Sequence, residues 1–230
     1  MSSTILPPGL QGDLQEVISG GSTDWLDYQF VKFYTNAYIF QDDKLLLGYK
    51  KRGFGVGKYN GFGGKVDPGE TPDQAAVREL KASVSNRYIN KRLKRTQEEA
   101  GIDAPLQHCG TFLFVMKPGP EWAFQIELYR ADTYSGTLEE TDEMRPQWFS
   151  VSPPSLDSAV AEVASKAEEL SEAPALSSIP FASMWEGDYL WFPFLLSNQH
   201  FTGRVDFEEV DGVPRLARWW FGVPPRNPTD

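Results

Sequence analysis

The chain has 230 residues, a formal net charge of −10 and 40% hydrophobic residues. This length suits one globular domain with appendages, or two small domains, and allows a sizeable core. The acidic balance argues against binding of polymeric nucleic acid, because a phosphate backbone requires a basic face. A small phosphate ligand is still compatible with it, since carboxylates can bind a nucleotide through a divalent cation.

The cellular compartment is indicated by what the sequence lacks. The single cysteine, Cys109, excludes an internal disulfide and favours a reducing compartment. No apolar run approaches the length of a membrane span, and the first residues lack the basic and apolar regions of a signal peptide. The first arginine is Arg52, which argues against a mitochondrial transit peptide. We therefore expect a cytosolic protein, with a nuclear location also open, that has no membrane partner and is a monomer.

In chain order, residues 1–30 are rich in Gly, Ser and Pro and predict a loose extension. Two strand-like runs follow, "VKFYTNAYIF" and "KLLLGYK", joined by a turn at "QDD". The next eighteen residues, "GFGVGKYNGFGGKVDPGE", include seven glycines and predict a loop. "TPDQAAVREL" predicts a helix, with Thr71 as its N-cap and Pro72 and Asp73 in its first turn.

The second half predicts the strands "CGTFLFVMK", "WAFQIELYRAD" and "RPQWFSV", and then a helix within "IPFASMWEGDYLWFPFLLSN". Residues 151–178 contain no aromatic residue and predict a solvated helix or a disordered loop. "HFTGRVDFEEVDG" predicts a hairpin, and residues 211–230 predict a C-terminal tail. We therefore predict one domain over residues 31–210, with insertions at about 82–97 and 151–178.

A spaced set of polar residues links the glycine-rich loop to the predicted helix. Gly64 is followed after five residues by Glu70, and after seven more by "REL" at residues 78–80. A second run, "EEAGI", occupies residues 98–102. Together they resemble the signature of the Nudix family, Gly-x5-Glu-x7-Arg-Glu-aliphatic-x-Glu-Glu-x-Gly-aliphatic. Removal of the sixteen residues 82–97 would leave "RELKEEAGI" and a full match.

Three further segments, "KKRGFGVGKYNGFGGKV", "TDEMRPQWF" and "IPFASMWEGDYLWFPFLL", resemble the eukaryotic MutT homologues within this family. The resemblance extends over about residues 33–207. It implies an α/β fold, the Nudix α/β/α sandwich with a mixed β-sheet. It also implies a hydrolase that cleaves oxidised purine nucleoside triphosphates such as 8-oxo-dGTP to the monophosphate and pyrophosphate. That activity removes damaged nucleotides from the pool before they reach DNA.

The resemblance implies Mg²⁺ as the cofactor, with Mn²⁺ as an alternative, and water that attacks the β-phosphorus. Glutamates suit this reaction, because hard cations prefer carboxylate oxygens and these cations neutralise phosphate charge. In an uninterrupted helix, glutamates three and four positions after the first share its face. By resemblance, Arg78 and Glu70 support the loop and orient a carboxylate. The implied metal ligands and catalytic carboxylates are the Gly64 carbonyl, Glu79, Glu98, Glu99 and Glu143.

The resemblance places purine recognition elsewhere in the chain. Asn60 aligns with an amide that reads the purine edge, since an amide offers both a donor and an acceptor. Asp188 matches one of two adjacent acids, and Gly187 stands in the place of the other. Paired acids can share a proton and present either a donor or an acceptor. Whether both oxidised guanine and oxidised adenine are accepted therefore stays open, as does compensation by Glu186. The other implied pocket residues are Trp185, Phe54, Phe114, Thr35 and Lys50.

The insertion leaves several interpretations open. If residues 82–97 simply extend the helix, they move Glu98 about 24 Å from its place near Glu79, and the chain is a nucleotide-binding but inactive module. If they loop out, the glutamates can converge. If the segment is a retained intron, as the codons available for "KAS" and "TQ" allow, the native protein reads "RELKEEAGI". A Nudix hydrolase of another nucleoside diphosphate derivative is a further alternative.

Two histidines, His108 and His200, match no catalytic pattern in the sequence. We expect them to have surface or packing roles. Cys109 has no candidate partner, and we expect it to pack in the interior.

Overall fold

The structure is a computed structural model that describes residues 5–83, 102–151 and 178–225. Within these ranges the short segment Phe181–Ser183 forms a 3₁₀ turn, and two α-helices are present, α1 (Pro72–Ser83) and α2 (Asp188–Leu196). Neither helix is long and apolar enough to cross a membrane. The strands are β1 (Gln15–Gly21), β2 (Phe30–Gln41), β3 (Lys44–Lys50), β4 (Tyr59–Asn60), β5 (Ile102–Asp103), β6 (Gln107–Lys117), β7 (Trp122–Ala131), β8 (Ser135–Gly136), β9 (Met144–Ser150), β10 (Phe201–Val210) and β11 (Val213–Val223).

Nine strands form one sheet in the order β1-β11-β10-β6-β7-β2-β3-β4, and β9 also pairs with β3. The pairs β2–β7 and β6–β10 are parallel, and the other pairs in the sheet are antiparallel. β5 and β8 form a separate antiparallel pair. The predicted α/β class with a mixed sheet is therefore confirmed.

The two helices cover opposite faces of the sheet. Successive side chains of β2 alternate between the faces, so neighbouring residues of this strand contact different helices. Ala37 packs with Ala76 of α1 in one hydrophobic cluster. Its neighbour Tyr38 meets Trp191 and Phe192 of α2, with ring centroids 5.7 and 5.8 Å away. The α2 side contains the larger, aromatic part of the core.

Helix α1 begins where the sequence predicted, with Thr71 as its cap. The Thr71 hydroxyl accepts a hydrogen bond from the Gln74 N–H at 3.3 Å, and the Gln74 side chain accepts one from the Thr71 N–H at 2.9 Å. This reciprocal pair satisfies two donors at the start of the helix. Because Ala76 and Leu80 are buried, the helix is fixed in rotation as well as in position.

The chain leaves α1 at Ser83 and is described again from Ile102, which lies close to the helix. Leu80 and Ile102 belong to the same buried cluster, and Lys81 Nζ lies 3.6 Å from Asp103 Oδ1. A helix that continued from Ser83 would have carried Ile102 about 28 Å along its axis. The described residues on the two sides of the insertion therefore lie next to each other. Of the predicted insertion, residues 84–97 lie outside the described part, as do residues 152–177 of the second one.

Both ends of the predicted domain were placed wrongly. In the presumed loose extension, residues 15–21 form β1, which pairs with β11 from Gln15↔Val223 to Gly21↔Arg218. In the presumed tail, residues 213–223 form β11, the second strand of a hairpin with β10. The sheet therefore extends from Gln15 to Val223, beyond the predicted limits of 31 and 210.

A buried ion pair joins the N-terminal segment to the sheet. Arg204 and Asp206 on β10 are both fully buried, and Arg204 Nε donates to Asp206 Oδ1 at 2.8 Å. The Arg204 guanidinium also donates to the carbonyls of Pro8 and Leu26, and the Leu26 N–H donates to Asp206 Oδ2 at 2.6 Å. Hydrogen bonds of this kind are stronger because one partner is charged. They fix the approach of residues 8–26 to the sheet.

Candidate active site

One end of the site lies where α1 meets the glycine-rich loop. A Cβ on Gly64 would meet the Glu79 carboxylate at 2.6–2.9 Å, so a side chain at this position would displace the carboxylate. Arg78 donates to Glu79 through Nη1 and to Glu70 through Nε, the latter at 3.0 Å. Its Nη2 donates to the Lys65 carbonyl at 3.0 Å. Arg78 therefore holds the loop, Glu70 and Glu79 in one arrangement.

The charges in this group reinforce one another. The hydrogen bond from Arg78 lowers the pKa of Glu70, and the Asp67 N–H adds to this effect. The pKa of Arg78 is raised, first by the hydrogen bond to Glu70 and also by Glu79, although burial opposes the shift. Arg78 is therefore charged at every relevant pH, and its hydrogen bond orients the Glu79 side chain.

The donors here are oxygens of the kind that hard divalent cations prefer, a carboxylate and a peptide carbonyl. The Gly64 carbonyl accepts a hydrogen bond from the Thr35 N–H at 2.8 Å, which leaves its second lone pair for a ligand. Among the described residues, no group of three or more His, Cys, Asp or Glu side chains is arranged to hold a metal ion. Glu98 and Glu99 lie outside the described residues.

Glu143 precedes β9 and pairs with basic side chains. Its Oε1 lies 2.9 Å from Lys50 Nζ, and its Oε2 lies 3.7 Å from Arg52 Nη2. Partial burial acts to raise the pKa of Glu143, but the hydrogen bond from Lys50 and the charges of Lys50 and Arg52 outweigh it and lower the pKa. The family resemblance assigned Lys50 to the base pocket and Glu143 to the metal or the attacking water. In this structure the two side chains contact each other.

A pocket of about 230 Å³ opens between the sheet and α2. It brings together every residue that the sequence assigned to substrate binding, and Gly64 also lines it. These residues are Asn60, Trp185, Asp188, Phe54, Phe114, Thr35 and Lys50. The Thr35 hydroxyl is buried, and among the described residues it has no hydrogen-bond partner. Buried polar atoms usually have partners, so this hydroxyl is a candidate ligand contact.

The amide of Asn60 is fixed in one orientation. Its Oδ1 accepts hydrogen bonds from Asn36 Nδ2 at 2.7 Å, the Tyr38 hydroxyl at 3.0 Å and the Gly61 N–H at 2.9 Å. A flipped amide would set its NH₂ group against the Gly61 N–H, two donors facing each other. Asn60 therefore presents an NH₂ donor to a ligand, rather than a choice of donor or acceptor.

Asp188 is a buried acid that lines the pocket. Burial raises the pKa of Asp188 to about 7, although hydrogen bonds from Trp191 and the Trp185 N–H and the charge of Lys58 oppose the shift. Its Oδ1 accepts from Trp191 Nε1 at 3.1 Å, and its Oδ2 from the Trp185 N–H at 3.0 Å. Asp188 therefore changes charge near neutral pH.

A second acid does not join Asp188. Glu186 Oε2 accepts from the Leu216 N–H at 3.2 Å and lies 3.8 Å from Arg215 Nη1, so its carboxylate is turned towards β11. Gly187 has φ of +93°, and a Cβ there would lie 2.7 Å from Leu216 Cδ2. The local backbone therefore favours glycine over an acid at this position.

We expect Gly187→Ala to lower the free energy of unfolding by about 1–3 kcal/mol, through backbone strain and contact with Leu216. Gly69→Ala is the matched control, because Gly69 has φ of +90° but no atom within 4 Å of its added Cβ. Chemical denaturation measures both. Equal losses in the two variants would show that the contact with Leu216 adds nothing.

Phe54 occupies an aromatic slot at the mouth of the pocket. Its ring stacks on Trp185, with centroids 5.1 Å apart and planes at 27°, and on Phe124, with centroids 5.5 Å apart and planes at 12°. Its loop contains Gly53 and Gly55, both with positive φ. A planar ligand that stacks on this face of Trp185 must displace Phe54, whose side chain is 53% exposed.

Sequence reasoning missed two polar residues of the pocket. Asn36 lies in β2 and donates to Asn60, but in the sequence it reads as an ordinary strand residue. Lys58 lies in the loop, where its Nζ donates to the Met184 carbonyl at 3.0 Å and sits 5.1 Å from the centre of the Trp185 ring. The alternation of β2 could have placed Asn36 on the side of Tyr38. No local signal identifies Lys58.

We expect Lys58→Met to raise the pKa of Asp188, because the Lys58 charge favours the ionised carboxylate. A carboxyl-carbon NMR titration of Asp188 measures the shift. Lys117→Met, a change at an exposed lysine at the end of β6, is the control. An unchanged midpoint in Lys58→Met would contradict the assigned role.

Comparisons with known proteins identify relatives of this chain. A profile of the NUDIX domain matches residues 34–87. The chain is 36% identical over 183 residues to the oxidized purine nucleoside triphosphate hydrolase of Danio rerio. The matched segment covers 79% of this chain and 90% of that protein. It is 34% identical over 183 residues to the protein of the same name from Mus musculus, with the same coverage.

Among solved structures, the mutator MutT protein from Bacillus halodurans has a similar fold, with a TM-score of 0.53. The match covers 83% of this chain and 97% of that chain, at 17% sequence identity. At this identity the similarity concerns the fold alone.

Proposed function

Because the chain belongs to the Nudix family of hydrolases, which act on acid anhydrides and generally depend on a divalent metal, we propose a specific reaction for it. The protein hydrolyses oxidised purine nucleoside triphosphates, with 8-oxo-dGTP as the leading substrate, to the monophosphate and pyrophosphate. The observation that supports this most directly is the pocket, in which Asn60, Asp188 and Trp185 converge within reach of the Gly64 loop. The small nucleotide is the partner.

The cofactor that we propose is Mg²⁺, with Mn²⁺ as an alternative. When bound, such an ion neutralises the phosphate oxygens and activates water for attack on the β-phosphorus. In the part of the chain that the structure describes, Glu79 and the Gly64 carbonyl are the candidates for holding this ion. Glu98 and Glu99 are assigned to it by family resemblance. Arg78 positions Glu79 and compensates its charge. Glu143, whose pKa lies below its usual range, is ionised at neutral pH and remains assigned to the metal or to the attacking water.

The polar groups of the pocket favour a guanine-type base. A guanine edge offers a carbonyl acceptor at O6 and N–H donors beside it. Asn60 presents donors, because its Oδ1 is already occupied. Ionised Asp188 presents only acceptors. An adenine edge offers an amino donor beside a ring acceptor. The ring acceptor requires a donor from the protein, and ionised Asp188 has none.

We expect KM for 8-oxo-dGTP to fall as the pH rises through about 7, since Asp188 then becomes an acceptor for the base. Asp188→Asn should remove this inflection. Steady-state kinetics on both sides of pH 7 measure it, with Asp132→Asn, a change at an exposed carboxylate, as the control. A KM profile that keeps its inflection in Asp188→Asn would assign it to another group.

The proposed function is tested by pyrophosphate release from 8-oxo-dGTP by the purified full chain with Mg²⁺. The deletion of residues 82–97 restores the uninterrupted signature and serves as the second protein. Turnover by the full chain supports the proposal. Binding without turnover by the full chain, together with turnover by the deletion variant, would identify the full chain as an inactive module. Turnover only of other nucleoside diphosphate derivatives would overturn the substrate assignment.

A further inference from the structure

The two histidines without a sequence-based role lie side by side, and neither is among the residues that line the pocket. His108 belongs to β6, and His200 follows α2 just before β10. His200 Nε2 lies 3.2 Å from His108 Nδ1. On the other side of the ring, His108 Nε2 lies 2.8 Å from Glu127 Oε2. Both imidazoles are partly open to solvent.

The carboxylate determines which nitrogen of His108 is free. Glu127 stays ionised at neutral pH, because the hydrogen bonds from His108, Thr111 and Gln125 outweigh its burial and lower its pKa. An ionised carboxylate only accepts hydrogen bonds, so His108 Nε2 carries the proton. With the proton on Nε2, His108 Nδ1 is an acceptor, and it takes a hydrogen bond from His200 Nε2 at 3.2 Å. Burial lowers the pKa of His200, which favours the neutral form of this ring that can bind a metal ion.

We propose that His108 and His200 bind a divalent transition metal ion that prefers imidazole ligands, at a site separate from the catalytic one. Two imidazole nitrogens on one ion, at bond lengths of about 2.0–2.1 Å, lie about 2.9–3.4 Å apart for right-angled to tetrahedral geometry. The observed separation of 3.2 Å falls within this range, so an ion can replace the hydrogen that the two rings share. A carboxylate on the distal nitrogen of a histidine is the usual support of such a ligand.

The Glu127 carboxylate is itself fixed by hydrogen bonds. Gln125 Nε2 donates to its Oε1 at 2.8 Å, and the Thr111 hydroxyl donates to its Oε2. The edge of the His108 ring packs on Tyr129, with centroids 5.4 Å apart and planes at 75°. The orientation of His108 is therefore set from two sides before any ion arrives.

The site is a two-point site. Among the described residues no third His, Cys, Asp or Glu ligand joins the pair, so water fills the remaining positions. Of Cu²⁺, Ni²⁺ and Zn²⁺, the order of intrinsic affinities predicts that Cu²⁺ binds most tightly. Mg²⁺, which prefers oxygen ligands, should not compete. A bound ion would tie the link between α2 and β10 to β6.

The test is calorimetric titration of the untagged full chain with NiCl₂ and CuSO₄ in excess Mg²⁺, combined with thermal unfolding. We expect one ion per chain, tighter for Cu²⁺, and a rise in Tm on binding. His108→Ala and His200→Ala should each abolish both effects, and Glu127→Gln should weaken binding by about 10–100-fold. Cys109→Ser, a change at a buried thiol, should leave binding intact.

Circular dichroism verifies that each variant is folded. Absence of binding to the wild-type chain would overturn the proposal. Binding by the two histidine variants that is as tight as binding by the wild-type chain would overturn it as well, because the ion would then lie elsewhere.

Discussion

Replacing Glu79 by glutamine is expected to lower kcat for 8-oxo-dGTP by at least about 100-fold, since loss of a mere support of a metal ligand costs about 10–100-fold. Glutamine preserves the size of the side chain but removes the charge that faces Gly64 and Arg78. The base pocket is formed by other elements, so binding of the nucleotide should be retained. Steady-state kinetics and a direct binding measurement separate the two effects.

Two further variants make this result specific. Glu70→Gln, which loses charge beside Arg78 but not at the proposed ligand, should have a smaller effect than Glu79→Gln. Glu121→Gln alters an exposed carboxylate in the turn between β6 and β7 and should be neutral. If Glu79→Gln kept the kcat of the wild type, Glu79 could not be a ligand of the catalytic metal.

The largest effect on stability is expected from Asp206→Ala, which should lower the free energy of unfolding by about 3–5 kcal/mol. The variant leaves the guanidinium of Arg204 buried without its counter-ion, and Arg204 is fully buried. The Leu26 N–H also loses its acceptor. Chemical denaturation of the purified variant measures the change.

The chain offers a matched control for this prediction. Arg130 and Asp132 form a second Arg–Asp pair with the same sequence spacing, at 2.6 Å, but Asp132 is 61% exposed. Asp132→Ala should cost no more than about 1 kcal/mol, because solvent screens exposed pairs. If Asp206→Ala cost no more than Asp132→Ala, burial would not be the source of the effect.

The residues of the pocket were accessible to sequence reasoning because they could be matched to positions of a known family that the chain resembles. Their states were not. Asn60 became a pure donor through Asn36 and Tyr38 on a different strand, and no spacing in the sequence predicts that contact. Asp188 titrates near 7 because of burial, which arises only once α2 packs on the sheet.

The ends of the sheet escaped prediction for a different reason. β1 exposes most of its residues and contains little apolar sequence, so its periodicity is weak. It is held by pairing with β11, some two hundred residues later, and by the contacts of Arg204 with Pro8 and Leu26. Interactions this distant in sequence leave no mark on the local pattern.

The antiparallel pairing of β1 with β11 has a mechanical consequence. Gln15 and Val223 face each other at one end of the pair. Tension between the two strand ends would therefore peel the backbone bonds apart in succession rather than shear them all together. β1 is an outer strand, and β3 and β4 lie at the opposite side of the sheet. A motor that pulled on the chain in this way would unravel that edge before it disturbed the nucleotide cleft.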